Sequence, residues 1–232
     1  MLTALDGFNA VPEEKEYVTF KYRSNLESMF ENSVGDAWEK GTRLLHRILC
    51  DLASFHGYDP RVWDPFVKDT FSLPRDESSM TDTDTFMRVF QYYPGGVAEQ
   101  HTDLGLLTLC VGTDSCLEVV EHRPDASHWI APQHCLVLVG RMASILLDKK
   151  VRPGRHRVVS SPQGRKSCVL ALRPCPTAQM NMHTSDGQET ISAREWYAKT
   201  SATRYNINAK KDLRKEQRQK SKLWRDQQLD RA

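Results

Sequence analysis

The chain has 232 residues, 39% of them apolar and 27% charged, with a net charge of +2. That length supports one domain with a real core and is short for two. No apolar run approaches the roughly 20 residues of a membrane helix, and Met1 to Lys15 carries Asp6, Glu13 and Glu14 with no apolar stretch, which excludes a spanning segment and a secretory signal and predicts a cytoplasmic location.

The charge is unevenly spread. Arg204 to Ala232 holds ten Lys/Arg against four Asp/Glu, a net of +6, which leaves −4 for the rest of the chain. The six cysteines (Cys50, Cys110, Cys116, Cys135, Cys168 and Cys175) form no Cys-x-x-Cys pair and mostly sit among apolar neighbours. They read as buried thiols, with neither a disulfide framework nor a zinc site expected.

Residues 1 to about 23 are polar, with a short strand expected at Tyr17-Tyr22. Ala37, Trp38, Gly41, Leu44, Leu45, Ile48, Leu49 and Leu52 then recur at three- and four-residue steps, the stripe of an amphipathic helix. His56-Gly57 stops it, and His46 within it reads as a packing or surface residue. Residues 59 to 84 are rich in Pro, Asp, Ser and Thr and predict a loop with at most a short helix.

From Thr85 the period changes. Thr85-Tyr93, Leu104-Val111, Cys116-Glu121, His134-Gly140, Ala143-Leu147, Arg155-Ser160 and Lys166-Leu172 are short β-prone runs separated by Pro- and Gly-containing turns. Seven such runs after a helical block predict a mainly β sandwich or barrel with flanking helices. Ser192-Ala193-Arg194-Glu195 has the capping-box form and should open a short helix carrying Trp196 and Tyr197. Residues 208 to 232 read as a solvated helix or a disordered tail.

Within the β region, His101-Thr102-Asp103 places a histidine and a carboxylate two residues apart, on one face of an extended segment. His156 lies in a later strand that a barrel can bring to the same interior. Two imidazoles and one carboxylate suit Fe(II) and leave coordination positions open. Arg165 and Ser167 again share a face, and a guanidinium with a neighbouring hydroxyl binds a carboxylate well. The intervening turn Ser161-Pro162-Gln163-Gly164 predicts a hairpin that sets Arg165 on the strand beside His156. His122, His128 and His134 have spacings that match no standard ligand pattern and read as surface loop histidines.

Seven blocks in order carry a family resemblance: Gln91-Tyr92-Tyr93-Pro94, His101 to Thr108, Leu117-Glu118-Val119, Trp129 to Pro132, Val137 to Gly140, Gly154 to Val158, and Arg165-Lys166-Ser167. Together, over residues 85 to 176, they resemble the isopenicillin N synthase-like branch of the Fe(II)/2-oxoglutarate dioxygenases. The resemblance implies a double-stranded β-helix (a cupin-like jelly roll) buttressed by N-terminal helices. It implies His101, Asp103 and His156 as iron ligands and Arg165 and Ser167 as the grip on the distal carboxylate of 2-oxoglutarate. The Tyr93 hydroxyl is expected on that same carboxylate and Gln91 near the other end of the molecule. Fe(II), 2-oxoglutarate and O2, with ascorbate as an accessory reductant, follow as cofactors. The implied activity is hydroxylation or desaturation of a C–H bond in a small organic molecule, with release of succinate and CO2.

The resulting division is an N-terminal segment 1–84, an oxygenase core 85–176, a C-terminal helical region 177–203 and a basic tail 204–232. The N-terminal segment is shorter than is usual for the family, six residues join Pro94 to His101, and Arg141 stands where many members carry an acid. The basic tail keeps open a nucleic-acid or protein oxygenase of the same fold, and a catalytically silent binding module is the non-enzymatic alternative.

Overall fold

A computed structural model describes residues 7–23, 28–80, 83–113, 116–122, 127–133, 135–184, 187–202 and 213–216. A hairpin of β1 (Gly7–Val11) and β2 (Lys15–Phe20) precedes the long helix α1 (Ser28–Phe55). Two short 3₁₀ turns (Pro60–Trp63 and Glu77–Met80) flank the single-turn helix α2 (Asp64–Val67) and lead into the strands. These are β3 (Phe86–Tyr92), β4 (Ala98–Thr102), β5 (Leu107–Gly112), β6 (Leu117–His122), β7 (Ser127–Ile130) and β8 (Cys135–Val139). Helix α3 (Arg141–Leu146) separates them from β9 (Arg155–Val158) and β10 (Arg165–Leu172). A last hairpin, β11 (Gln179–Thr184) and β12 (Gly187–Ser192), runs into helix α4 (Ala193–Ala202).

The strands form a six-stranded sheet in the order β1-β2-β3-β10-β5-β8 and a four-stranded sheet in the order β4-β9-β6-β7. Neighbours in both pair antiparallel. Their inner faces meet in one cluster, with Tyr17, Phe90, Cys110 and Leu138 from the larger sheet against Ala98, Leu117 and Val158 from the smaller. The outer face of the larger sheet carries Met87, Leu107, Leu170 and Leu172, which pack with Trp38, Leu45 and Leu49 of α1. Each such side chain contributes about 1.5–3 kcal/mol on burial. Gly41 sets the closeness of that contact, because a β-carbon there would overlap the Leu170 side chain.

The helical stripe is real but narrower than its spacing suggests: Trp38, Leu45 and Leu49 are fully buried, whereas Ala37 and Leu44 face outward. Trp38 Nε1 donates to the Thr70 carbonyl at 2.8 Å and Trp63 Nε1 to that of Leu49 at 2.7 Å, so the 59–84 segment is tied down on α1. Gly57 ends the helix at φ +80°, the left-handed geometry that glycine adopts without strain. His46 packs edge-on against Phe71 and beside the Cys50 thiol, a packing role as expected.

Four expectations change. Ala143-Leu147 is helical: Arg141 N–H donates to the Asp103 carbonyl at 2.9 Å and Met142 N–H to that of Leu104 at 3.2 Å, and the Met-Ala-Ser-Ile-Leu run that follows mixes good helix formers with apolar residues that bury equally well in a helix. The 177–203 region contains the β11–β12 hairpin as well as a helix. Ser161-Pro162-Gln163-Gly164 does not close a hairpin, since β9 and β10 belong to different sheets. Cys135 is exposed, while Cys110 and Cys175 are buried, and all six cysteines are free thiols. The capping box forms as expected, with Ser192 N–H donating to Glu195 Oε2 at 2.7 Å and Glu195 N–H to Ser192 Oγ at 3.2 Å.

Of the basic tail, residues 213–216 are described. They form a helical turn whose buried Arg214 pairs with Glu14, with Nη1 donating to Oε2 at 2.8 Å. His122 and His128 sit on β6 and β7, and His134 lies outside the described residues. No helix among the described residues is long and apolar enough to cross a membrane.

Candidate metal centre

The metal-binding group is assembled by the four-stranded sheet. His101 on β4 stands directly opposite His156 on β9 in the antiparallel register, with ring centroids 4.1 Å apart. Ala98 and Val158 also pair and share the interior cluster, although His101 is three positions beyond Ala98 while His156 is two before Val158. Alternation would turn His101 outward. A bulge between Ala98 and His101 absorbs the odd residue and returns the imidazole to the interior.

β4 ends at Thr102 and Asp103 follows it, with Asp103 Oδ1 lying 3.8 Å from His101 Nε2. The ligand atoms of His101, Asp103 and His156 all fall within 4.8 Å of one another, and this is the one such group found among the described residues.

Protonation states suit a metal. His101 Nδ1 lies 2.7 Å from the Glu99 carbonyl and His156 Nδ1 lies 3.1 Å from that of Gly154. A carbonyl only accepts, so each Nδ1 carries a proton, which leaves Nε2 as the nitrogen placed to ligate a metal. Burial pushes the His101 pKa down, and the adjacent His156 adds to this, which keeps the ring neutral. Burial works to raise the Asp103 pKa, but His156, His101 and a hydrogen bond from Thr108 outweigh it and keep the carboxyl ionised. Two imidazoles presenting Nε2 and one carboxylate are a donor set that fits Fe(II).

Across the interior, β10 presents Arg165 and Ser167, both on the inner face and both buried. Arg165 pairs with Tyr92 of β3, and Ser167 pairs with Phe90 of β3 and Gly112 of β5. A β-carbon at Gly112 would overlap the Arg165 guanidinium, so the glycine makes its space. Arg165 thus points into the interior from the opposite sheet instead of standing beside His156.

The structure does not bring Tyr93 or Gln91 to Arg165. Tyr93 donates its hydroxyl proton to Glu16 at 2.8 Å, and Gln91 Nε2 donates to the Tyr92 carbonyl at 3.2 Å. Gln91 pairs with Lys166 on the outer-facing register, one residue out of phase with the site. Tyr92 is the inward tyrosine. Burial pushes its hydroxyl pKa up, and Arg165 pulls it partly back.

Lys15 is a further inward residue. It is fully buried, pairs with Tyr92 in register, and holds its ammonium 5.3 Å from the Tyr92 ring centroid. Burial, reinforced by Arg214 and Arg88, lowers its pKa to about 7. In Lys15-Glu16-Tyr17-Val18-Thr19-Phe20 the buried alternates are Lys15, Tyr17 and Thr19. Hydrophobic alternation points to Val18 and Phe20 instead, so no sequence signal marks Lys15.

The architecture is shared with solved oxygenases. A full-length Neurospora crassa protein in complex with alpha-KG superposes with a TM-score of 0.60 at 18% identity, over 82% of this chain and 66% of that one. A 2OG-Fe(II) oxygenase family protein from Caulobacter crescentus gives 0.63 at 18% identity, covering 84% and 74%. JOX2 in complex with 2OG, Fe and JA gives 0.61 at 13% identity, covering 88% and 64%. The chain therefore spans just under two thirds of the length of the first and third of these proteins. No family model and no curated protein sequence matches it. The fold is that of the 2-oxoglutarate/Fe(II) oxygenases, and the chain carries a His-Asp-His group within it.

Proposed function

We propose that this protein is an Fe(II)- and 2-oxoglutarate-dependent oxygenase of the isopenicillin N synthase-like branch, its two sheets forming a double-stranded β-helix, and that it oxidises a C–H bond of a small organic molecule. The observation that carries this reading is the opposition of two sets of groups: three metal-competent donor atoms within 4.8 Å on one sheet and the buried Arg165–Ser167 pair on the other.

In this reading His101, Asp103 and His156 hold the metal by Nε2, a carboxylate oxygen and Nε2. Arg165 and Ser167, with the Tyr92 hydroxyl in the role the motif suggested for Tyr93, orient the distal carboxylate of 2-oxoglutarate. Such a centre supplies O2 activation coupled to decarboxylation of 2-oxoglutarate, so that R–H, O2 and 2-oxoglutarate become R–OH, succinate and CO2. The Nδ1 protons, held on the Glu99 and Gly154 carbonyls, orient both imidazoles with Nε2 toward the metal. Small-molecule use is consistent with relatives of the fold crystallised with thymine or with JA.

Anaerobic addition of Fe(II) and 2-oxoglutarate should produce the weak visible charge-transfer band of the chelate. Aerobically, succinate should be released and the release should fall more than about 100-fold in His101→Ala, beyond the 10–100-fold that changes around a metal site commonly cost. Absence of the band in the folded wild-type protein would overturn the assignment.

A further inference from the structure

Resting on the oxygenase reading, we infer that Arg88 is a second anion receptor inside the barrel, which anchors the carboxylate of an acidic organic substrate. Arg88 is on β3, facing inward, and is 5% exposed. Its Nε donates to Thr19 Oγ1 at 2.9 Å. Its guanidinium carbon lies 4.5 Å from the Tyr17 ring centroid, 4.7 Å from that of Phe86 and 5.5 Å from that of Phe90. Among the described residues no carboxylate pairs with it, and Thr19 is its one hydrogen-bond partner. Aromatic faces offset part of the cost of burying a cation, and the Asp103 charge favours it from a distance, but neither accepts its in-plane N–H groups as a bound carboxylate would.

Position separates this arginine from the co-substrate grip. On β10 its register partner is Val169, four residues beyond Arg165, or about 13 Å along the strand, with one further strand spacing across. Two residues past Val169, Ala171 pairs with Thr108, the donor to Asp103. Arg88 therefore lies displaced from Arg165 toward the Asp103 end of the site. Arg173 strengthens the positive potential there: it too sits 4.7 Å from the Phe86 centroid, and its charge acts on both Asp103 and Arg88. A planar guanidinium with its in-plane donors open is shaped for bidentate capture of a carboxylate, and its aromatic surround suits a carboxylate borne on an apolar body.

The test loads the full-length protein anaerobically with Fe(II) and saturating 2-oxoglutarate, so that Arg165 is occupied. Benzoate, phenylacetate and hexanoate are then titrated, each against its primary amide. At least one acid should perturb the chelate band and stimulate succinate release on admission of air, while its amide should be at least tenfold weaker. Arg88→Met should abolish the response to the acid while 2-oxoglutarate affinity stays within about twofold. Arg88→Lys, which keeps the charge and guards against a folding defect, should retain a weakened response. Amides acting as well as acids, no acid acting on a normal chelate, a response that survives in Arg88→Met, or a 2-oxoglutarate affinity that falls in both variants would each overturn the inference and leave the oxygenase reading standing. A wild-type protein with no chelate band would remove both.

Discussion

The two faces of the six-stranded sheet are both buried, yet they are built from opposite chemistry. The outer face, under α1, is aliphatic: Met87, Leu107, Leu170 and Leu172. The inner face carries Lys15, Thr19, Arg88, Thr108, Arg165 and Ser167, all under 9% exposed. The same strands supply both sets, alternating residue by residue. Both sides bury apolar side chains, the inner one Tyr17, Phe90 and Cys110, but the inner side of these strands also buries charged ones. On the inner side the cations Lys15, Arg88 and Arg165 are buried as well, where taking a charge out of water is costly. Buried charge and aliphatic packing are thus separated by a single step of the pleat.

Mutations on the two faces should therefore move different observables. The largest effect is expected from Leu170→Ala on the outer face, which should cost about 2–5 kcal/mol through the cavity it leaves. In urea unfolding its midpoint should drop, while the 2-oxoglutarate Kd of the folded fraction stays unchanged; a matching loss of affinity would break the separation. Arg165→Met on the inner face should show the converse. Its 2-oxoglutarate affinity should fall by about 3 kcal/mol, roughly 100-fold in calorimetry, with no loss of thermal stability.

Lys15→Met should stabilise the ligand-free protein by on the order of 2 kcal/mol at pH 7. The sign follows from the depressed pKa of about 7 against the ordinary lysine value of 10.5. Below about pH 7 the ammonium is charged in both folded and unfolded states and its burial cost is fully present. Between about 7 and 10.5 the unfolded chain binds more proton, so stability rises with pH, and above that range the cost is gone. Wild-type melts should show this rise and Lys15→Met should lack it; identical pH profiles would contradict the buried-cation account. The smallest effect separates two adjacent tyrosines. Tyr92→Phe should weaken 2-oxoglutarate binding by about 1 kcal/mol, the worth of one hydrogen bond, and Tyr93→Phe should leave it unaltered. The reverse ranking would restore the assignment suggested by the motif.

How much of the site was legible depends on the residue. His101, Asp103 and His156 declare themselves by residue type and order, because few side chains ligate a metal and their spacing fits strands. Arg165 and Ser167 do so because a charge two positions from a hydroxyl in an apolar strand needs a partner. That the structure places Tyr92 and not Tyr93 beside Arg165 has a simple physical origin: proximity to Pro94 does not reveal strand parity, and parity is set by pairing with β10. Arg88 and Lys15 were invisible because a sheet buried on both faces has no polar-out pattern from which to tell inside from outside.

The sequence by itself determined the mainly β architecture, the helix that covers it, the capping box of α4 and the residue types of the His101, Asp103 and His156 group and of the Arg165 and Ser167 pair, since these rest on local propensity and on the chemistry of particular side chains. Tertiary structure alone decided which face each strand shows, that the 161–164 turn carries the chain from one sheet to the other, that a bulge re-aims His101, and that the 141–146 run is helical. Those outcomes depend on register and on contacts between residues far apart in the chain, and neither leaves a mark on local composition.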